Sequence, residues 1–337
     1  MAATIHDVAR LAQVAISTVS KVMSDSPRIS AETKLRVRNA MLTLDYHPSR
    51  NARGLARNTT ETLGILMPLE RDCAFRNPYV FEILCGIESL CSQHSYSVTL
   101  LNAMQLANNR SAIKRLIAER QVDGFILHAT QDAPLLIKLL SEQQLPFVVI
   151  GQLTPHDKHS WVDMDNRHAG QAATRHLLEQ GYRQLQFVGT QPQDTITRKR
   201  AQGFAQSLSE QGLKPVASDL YAGDNSSANG QAIWQQIASQ PQRPDGIVVA
   251  TSQLAAGLMA EAQASGIRIG PELGVISFDN YPLAEHTSPA LSVIDLDLFE
   301  LGAQASRALF EQLDNPQHRI QSQLLNLVLR PRASSQR

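Results

Sequence analysis

The sequence predicts an α/β protein in which an all-α N-terminal unit precedes two doubly wound parallel-sheet subdomains. Three observations lead to this fold class. The chain has 337 residues, which is more than a single hydrophobic core usually supports. Residues 4–45 show helix patterns and no strand candidate, whereas short apolar runs alternate with amphipathic helices from residue 62 onward. Nine such runs fit two sheets covered by helices better than one sheet.

Three helices are predicted in the N-terminal unit. Thr4 followed by Asp7 is a capping-box pattern, which marks the start of the first helix. A short break separates it from a second helix over Ile16–Met23, and Ser30 is placed to cap a third helix. The apolar residues expected to pack together are Ile5, Val8, Ala9, Leu11, Ala12, Val19, Val22, Met23, Leu35, Val37, Ala40, Met41 and Leu44.

The remainder of the chain predicts parallel strands buried on both faces, because its apolar runs are continuous rather than alternating. The strand candidates are Leu63–Met67, Ser97–Leu101, Gly124–Leu127, Phe147–Ile150, Leu185–Val188, Gly246–Ala250, Gly274–Phe278, Leu291–Ile294 and Leu324–Leu329. The helices expected between them include Tyr79–Ser95, Ala107–Glu119, Ala169–Gln180 and Arg198–Gln211.

Composition excludes several classes of protein. Hydrophobic residues make up 43% of the chain and charged residues 18%, which is ordinary for a globular protein. No apolar run approaches the ~20 residues that span a bilayer, and the first residues lack the pattern of a signal peptide. We therefore expect a cytoplasmic protein without a membrane partner. The three cysteines match no zinc or CxxC spacing, so neither a metal site nor a cofactor is expected.

The net charge of zero hides an asymmetry along the chain. Residues 1–60 contain nine Lys or Arg and four Asp or Glu, a charge of +5, which leaves −5 for the rest. A basic N-terminal unit on an acidic body indicates a polyanionic partner for that unit.

The second predicted helix has the features of a DNA-reading helix. A helix, a tight turn and a helix that opens with Ile16-Ser17-Thr18-Val19-Ser20-Lys21 form a helix-turn-helix arrangement, whose second helix lies in the major groove. Ser17 and Lys21 share one face, while Val19 and Val22 face inward. Short hydroxyls and a lysine in that exposed row can bond to bases or phosphates.

Two other classes of protein fit the sequence less well. An enzyme is disfavoured because the sequence has no GxGxxG after a strand, no GxxxxGK[ST], no GxSxG and no HExxH, so no catalytic residues are assigned. A solute-binding protein would account for the second part of the chain but not for its basic helical start.

Motifs along nearly the whole chain carry a family resemblance. They are Thr4–Ala12, Ser17–Val22, Ile29-Ser30, Thr33, Tyr46–Ser49, Leu63–Ile65, Asn77–Tyr79, Val122–Gly124, Asp165-Asn166, Ala169-Gly170, Gly181–Arg183, Arg200, Gly203-Phe204, Phe278–Asn280 and Pro289–Leu291. In this order they resemble the LacI/GalR family of bacterial transcription repressors. Residues 76–79 and 24–30 look most like its maltose and α-glucoside branch.

The resemblance implies a domain organisation. Residues 1–46 form the helix-turn-helix headpiece, residues 47–60 a hinge or linker, and residues 61–337 an effector-binding and dimerisation core similar to periplasmic binding proteins. Within that core, one subdomain comprises about residues 61–160 and 293–321, and the other about residues 161–292 and 322–332.

The resemblance also implies a DNA-binding set. The hinge segment folds into a helix when two copies meet on DNA, and Leu55 inserts into the minor groove; Gly54 favours a hinge that is disordered without DNA. A plain solvated linker is the alternative. The predicted DNA-binding residues are Thr4, Ile16, Ser17, Thr18, Ser20, Lys21 and Arg28 of the headpiece and Asn51, Ala52, Arg53, Leu55 and Ala56 of the hinge.

An effector site is implied in the core. Asp279 is expected to accept bonds from ligand hydroxyls and Arg200 to donate a bidentate pair, the alternative being an ion pair within the protein. Thr251-Ser252 stands where family members usually carry Asn-Asp, which puts the exact ligand in doubt. The predicted effector-binding residues are Tyr79, Phe81, His128, Trp161, Arg200, Thr251 and Asp279, with a structural role as the alternative for His128 and core packing preferred for Phe81.

The function implied is a sequence-specific DNA-binding transcription regulator. The favoured form is a repressor of carbohydrate-utilisation genes, whose affinity for a pseudo-palindromic operator in double-stranded DNA is controlled by a sugar or sugar derivative. A corepressor-dependent or non-sugar-responsive regulator is the alternative within the family. The C-terminal residues 329–337 have no heptad leucines, so a homodimer is expected rather than a tetramer.

Overall fold

The computed structural model describes residues 3–46, 59–69, 78–119, 121–129, 133–154, 156, 158–190, 192, 194–216, 220–315 and 322–337. The chain divides into two compact units. The first comprises Met1–Leu69, Leu90–Phe147 and Leu309–His318, and the second comprises Glu70–Ser89, Val148–Ala308 and Arg319–Arg337. No helix in the described part of the chain is long and apolar enough to cross a membrane.

The N-terminal residues form three short helices, α1 (Ile5–Leu11), α2 (Ile16–Met23) and α3 (Ala31–Thr43). The backbone amide and the hydroxyl of Thr4 both donate to one carboxylate oxygen of Asp7, at 3.0 and 2.7 Å, so the predicted capping box is present. The Ser30 hydroxyl accepts from the amide of Thr33 at 3.3 Å and caps α3.

The core of this helical unit is small. Val8, Val19 and Val37 are fully buried within it. The prediction that Leu11 and Leu35 belong to this core is wrong, since their side chains are 49% and 60% exposed. Adjacent helix positions differ by about 100° and alternate positions by about 200°. Ala12 and Val37 take the inward positions, which turns Leu11 and Leu35 outward.

In the first unit, strand β1 (Thr62–Met67) lies between β2 (Ser97–Asn102) and β3 (Gly124–His128), and both pairings are parallel. The helices of this region are α4 (Tyr79–Gln93), whose first part belongs to the second unit, α5 (Ala103–Asn108), α6 (Arg110–Ala118) and α7 (Ala133–Glu142).

The second unit contains the strands and helices that carry the site described below. Strand β5 (Ser160–Met164) lies between β4 (Phe147–Ile150) and β11 (Ser322–Leu325). A second sheet has the order β12-β10-β9-β8-β6-β7. Its strands are β6 (Leu185–Thr190), β7 (Leu220–Tyr221), β8 (Gly246–Val249), β9 (Gly274–Phe278), β10 (Ser292–Leu296) and β12 (Leu327–Arg330). The helices of the second unit are α8 (Asn166–Glu179), α9 (Thr195–Glu210), α10 (Ser227–Ala238), α11 (Ser252–Ala264), α12 (Pro282–His286) and α13 (Leu298–Asp314), whose last part belongs to the first unit.

The doubly wound α/β fold class is confirmed, with differences in detail. The segment predicted as one strand over Leu324–Leu329 forms two, because the chain passes from one sheet to the other at Asn326. Strand β11 pairs parallel with β5, whereas β12 pairs antiparallel with β10. Strands β5 and β7 were not predicted from the sequence. A serine and an aspartate interrupt the apolar run of β5, and β7 has two residues.

The C-terminal residues pack into the second unit through a chain of buried polar groups. His176 on α8 lies with its Nε2 2.6 Å from the Ser335 hydroxyl, which in turn donates to the Ser292 hydroxyl at 2.6 Å. All three side chains are buried. Burial lowers the pKa of the His176 imidazole, although the Glu179 carboxylate opposes this shift.

Acidification is therefore expected to destabilise the protein through His176. The unfolded chain takes up this proton below about pH 6.5, whereas the folded protein resists it to a lower pH. The contribution of His176 to stability is complete above that pH and is lost as the pH falls toward the lowered pKa. Urea denaturation at about pH 7.5 and 5.5 measures the loss, and a His176→Gln variant should lose less. An equal loss in both proteins would contradict this explanation.

Candidate functional site

Helix α2 has one exposed side and one side that is buried in the headpiece core. Val19 and Val22 pack in the core, as the sequence analysis predicted. The side chains of Ile16, Ser17 and Lys21 are exposed. Among the other predicted DNA-binding residues, Thr4 and Arg28 are exposed and Thr18 and Ser20 are half-buried. This side of α2 therefore offers hydroxyls, an apolar side chain and a lysine to a groove of about helix width.

Asp25 forms ion pairs with two basic residues of the headpiece, Lys34 and Arg38. Asp25 follows α2 with a φ of 51° and lies with Oδ1 2.8 Å from Lys34 Nζ and 3.4 Å from the Arg38 guanidinium. In the described part of the headpiece, Lys21 and Arg28 have no ion pair. Lys21 and Arg28 are therefore more available to DNA phosphates than Lys34 and Arg38 are. Protein side chains bind phosphates chiefly through charge.

Replacing Asp25 with asparagine is expected to make DNA binding more dependent on salt. The change frees Lys34 and Arg38 for phosphates, and asparagine tolerates a positive φ. Each added phosphate contact steepens the dependence of log affinity on log salt by about 0.9. An Asp45→Asn variant makes the same charge change at another positive-φ position, 47°, and is the control. Equal slopes for the two variants, measured by fluorescence anisotropy, would show that the Asp25 ion pairs are irrelevant.

The hinge residues predicted to bind DNA are Asn51, Ala52, Arg53, Leu55 and Ala56. They lie outside the described residues, and their role in DNA binding stays a prediction.

In the second unit, polar side chains gather at the carboxyl ends of parallel strands. Asp279 directly follows β9, and Thr251 follows β8 and precedes α11. Strands β8 and β9 are neighbours in parallel register, so their carboxyl ends lie at the same edge of the sheet. Ligands of open α/β sheets bind at such an edge.

Arg200, on α9, is buried among groups of its own protein. Its Nε donates to Asn166 Oδ1 at 3.0 Å and its Nη1 donates to the carbonyl oxygen of Ala250 at 2.7 Å. The guanidinium carbon lies 4.1 Å from the centre of the Phe278 ring, and Nη2 lies 3.7 Å from Asp279 Oδ1. Two of its three nitrogens are thus engaged in internal hydrogen bonds. This arrangement includes the internal ion pair that the sequence analysis kept as an alternative, and effector contact by Arg200 stays a prediction.

Asp279 combines burial with an unused acceptor. The residue is 6% exposed and has a φ of 68°. Its backbone amide donates to the Ile294 carbonyl oxygen at 3.0 Å. Burial raises the pKa of its carboxyl, and the nearby Arg200 only partly opposes this shift. Oδ1 has no hydrogen-bond partner among the described residues. A hydrogen-bond donor on a bound ligand would stabilise a buried carboxylate oxygen of this kind.

A second ion pair, which was not predicted from the sequence, lies next to Arg200. Asp163 lies on β5, and its Oδ2 is 2.9 Å from Lys199 Nζ. The same oxygen accepts from the backbone amide of Gln152 at 3.0 Å. The Asn166 amide nitrogen lies 3.4 Å from Asp163 Oδ1. Asn166 therefore joins this pair to Arg200. The available signal was an aspartate inside a short apolar run, just before Asp165-Asn166.

Two tyrosines lie near these charges. Burial raises the pKa of both Tyr79, at the start of α4, and Tyr281, at the start of α12. Asp163 and Asp279 raise the pKa of Tyr79 further, and Asp279 raises that of Tyr281. The Tyr281 hydroxyl is buried and has no hydrogen-bond partner within the described ranges. The charges of Asp163 and Asp279 therefore act on these tyrosines.

Thr251 and Ser252 occupy the end of β8 with different roles. The Ser252 hydroxyl lies 2.5 Å from the Phe278 carbonyl oxygen and 3.0 Å from that of Asp279, which ties the start of α11 to the end of β9. The Thr251 hydroxyl is buried without a hydrogen-bond partner in the described part of the chain.

The remaining predicted effector residues do not all join this cluster. Trp161 is buried on β5. The preference for core packing of Phe81 is wrong, since its side chain is 56% exposed; Ile83, two positions along α4, takes the inward side. His128 ends β3 in the first unit and is half-buried.

Two glycines allow the close helix contact that positions Arg200. A Cβ atom on Gly170 of α8 would lie 2.1 Å from the Arg200 carbonyl oxygen, and one on Gly203 of α9 would lie 2.0 Å from that of Arg167. Helices α8 and α9 therefore meet backbone to backbone, which only glycine permits. This contact fixes the backbone from which Arg200 reaches Asp279.

Two family models match the chain. The model of the bacterial regulatory proteins of the lacI family matches residues 4–49. The model of the periplasmic binding protein-like domain matches residues 174–335.

Curated relatives and solved structures cover nearly the whole chain. The HTH-type transcriptional repressor PurR of Edwardsiella ictaluri is 30% identical over 322 residues, which are 95% of this chain and 93% of the relative. The HTH-type transcriptional regulator MalR of Streptococcus pneumoniae is 29% identical over 320 residues, 94% of each chain. A crystal structure of the Lac repressor bound to ONPG in the repressed state has 25% identity and a TM-score of 0.80, and it covers 99% of this chain and 100% of that one.

Proposed function

Because this chain belongs to the LacI family of bacterial regulatory proteins, we propose that it is a transcriptional repressor of carbohydrate-utilisation genes. Its affinity for operator DNA is controlled by a small sugar-type effector. It acts without catalysis, in the cytoplasm, where the chromosome is accessible. Residues 1–46 bind DNA, residues 47–60 form the hinge, and residues 61–337 bind the effector and pair two chains.

The exposed side of α2 supports the DNA-binding half of this proposal. Ile16, Ser17 and Lys21 are exposed, whereas the opposite side of the helix packs in the headpiece core. Two headpieces on a homodimer read the two halves of a pseudo-palindromic operator, because the symmetry of the protein matches that of the site. The hinge residue Leu55 adds a contact in the minor groove.

The environment of Asp279 supports the part of the proposal that concerns effector binding. A carboxylate oxygen at the carboxyl end of a parallel strand, buried and without a hydrogen-bond partner among the described residues, has the chemistry to accept from a ligand hydroxyl. The Asp279 carboxylate also contacts Arg200, whose Nη2 lies 3.7 Å from Oδ1, and the Asp279 carbonyl oxygen accepts from the Ser252 hydroxyl at 3.0 Å. A ligand bound here changes operator affinity only by binding the two conformations of the dimer with different affinity.

Binding of DNA from the upstream region of the protein's own gene tests the proposal. Full-length protein and a labelled fragment are titrated in fluorescence anisotropy, with a shuffled fragment of equal length as the control. We expect the native fragment to bind at least about 10³-fold more tightly. Addition of the inducing sugar should weaken that binding. Equal affinity for both fragments would refute sequence-specific regulation, and tighter binding with ligand would favour a corepressor mechanism.

A further inference from the structure

Asp123 accepts three hydrogen bonds from the residues that directly precede β1 in the first unit. Its Oδ1 accepts from the backbone amide of Thr60 at 2.7 Å and from the Thr60 hydroxyl at 2.9 Å. Its Oδ2 accepts from the amide of Glu61 at 2.9 Å. Thr60 is the last residue of the predicted hinge, and β1 begins at Thr62. These three bonds, which we call the Asp123 clasp, therefore lie where the hinge joins the core.

Further contacts fix the backbone at the same place. The carbonyl oxygen of Glu61 accepts from the Ser97 amide of β2 at 2.8 Å, and the Asp123 amide donates to the Thr62 carbonyl oxygen at 2.8 Å. Glu61 has a φ of 50°, a conformation that a residue other than glycine keeps only when surrounding contacts enforce it. The backbone at Glu61 is therefore held both by Asp123 and by β2.

The second unit contains a similar carboxylate, which provides an internal comparison. Asp245 directly precedes β8 as Asp123 directly precedes β3. Strand β3 pairs parallel with β1, and β8 pairs parallel with β6. Asp245 accepts from the amides of Arg183 and Gln184, at 2.9 and 2.7 Å, just before β6. An aspartate in this position thus ties the start of one strand to the start of its neighbour in both units.

The two carboxylates differ in how far they reach along the chain. In the strand register, Leu63 lies opposite Gly124 and Leu185 lies opposite Gly246. Asp245 binds the first and second residues before Leu185, whereas Asp123 binds the second and third residues before Leu63. The Asp123 clasp therefore extends one residue further, and that residue is Thr60 of the predicted hinge.

We propose that Asp123 is a positioning residue for operator binding, because its bonds to Thr60 fix the point at which the hinge leaves the core. This inference rests on the proposed function and adds to it a residue outside the headpiece, the hinge and the predicted effector set. Two headpieces reach two half-sites only when their junctions with the core have a defined separation. A fixed junction also raises the effective concentration of the second headpiece at its half-site.

Loss of the clasp should weaken sequence-specific binding and leave charge-driven binding unchanged. Asp123→Asn keeps the size of the side chain but replaces one acceptor oxygen with a donor, so it cannot accept from both Thr60 and Glu61. We expect the DNA fragment from upstream of the protein's own gene to bind about 10-fold more weakly. A shuffled fragment should bind as before, because that binding depends on the headpiece cations. Fluorescence anisotropy measures both affinities.

The separation of the half-sites gives a readout that a purely structural role would not move. Full-length wild-type protein and Asp123→Asn each select bound DNA from a random pool. The wild-type protein should enrich half-sites at one separation, since the junctions are fixed. The variant should enrich the same half-sites at several separations, because loosened junctions tolerate different distances.

Asp245→Asn is the matched control, because it removes similar bonds from a place where helix α8, and not the hinge, precedes the bonded residues. It should lower thermal stability as Asp123→Asn does and keep the single separation. Thr60→Val tests the clasp without altering the carboxylate, since it removes only the hydroxyl bond. We expect it to weaken specific binding about 3-fold, and Thr60→Ser, which keeps the hydroxyl, to restore the affinity.

A single separation and unchanged specific affinity in both Asp123→Asn and Thr60→Val would overturn the inference. So would an equal loss of specific affinity in Asp245→Asn and Asp123→Asn, because lower stability would then explain both. Recovery of no common sequence by the wild-type protein would refute the proposed function, and this inference with it. The two failures are therefore distinguishable by the wild-type selection alone.

Discussion

Replacing Arg200 with methionine is expected to lower the free energy of unfolding by about 3–5 kcal/mol, because the change breaks a buried ion pair from one side. Methionine has a similar length but leaves Asn166 Oδ1, the Ala250 carbonyl oxygen and Asp279 without the guanidinium that they contact. Chemical denaturation with an unchanged m-value would attribute the loss to the folded state.

The control for this variant lies on the same helix. Arg198 is exposed, and its guanidinium lies 3.3 Å from the Thr195 hydroxyl, so Arg198→Met should cost less than about 0.5 kcal/mol. The deficit of Arg200→Met should also shrink at low pH, since a protonated Asp279 needs no cation. A loss below about 1 kcal/mol for Arg200→Met would contradict a structural role for this network.

Replacing Asp279 with asparagine should lower effector affinity by about 10- to 100-fold. A charged acceptor contributes about 1.5–3 kcal/mol to a hydrogen bond, and asparagine keeps the shape but not the charge. Calorimetry measures the affinity directly, with whichever of glucose, maltose, sucrose and cellobiose raises the melting temperature of the full-length protein.

An aspartate at the opposite edge of the same sheet provides the matched control. Asp245 precedes β8 and accepts from the amides of Arg183 and Gln184, at 2.9 and 2.7 Å. Asp245→Asn should lower stability and leave effector affinity within about two-fold, because its position is remote from the carboxyl ends of the strands. Equal effects of the two substitutions on affinity would mean that Asp279 acts through the fold and not through the ligand.

Local signals explain what could be predicted from the sequence. The Thr4 and Asp7 cap and the bounds of α2 depend on residues within a few positions of one another, and both are confirmed. The strands buried on both faces were visible as continuous apolar runs, so β4 and β9 were predicted with their observed bounds. The positions of Asp279 and Thr251 after such strands followed from the same pattern.

Contacts between distant residues explain what could not be predicted. Asp163 and Lys199 are 36 residues apart in sequence, and nothing near either residue indicates the other. The internal bonds of Arg200 depend on the backbone contact at Gly170, which a spacing pattern does not show. The interpretation of Phe81 failed for a related reason, since several apolar residues of α4 compete for one buried side and Ile83 occupies it.

The most direct test of the central claim, that α2 reads a specific DNA sequence on behalf of a paired regulator, is selection of bound DNA from a random pool by the full-length protein. We expect enrichment of one pseudo-palindromic sequence with two half-sites, and loss of that enrichment with a Ser17→Ala, Lys21→Ala double variant. Recovery of DNA without a common sequence would mean that the basic headpiece binds by charge alone, and would rule out sequence-specific reading by α2.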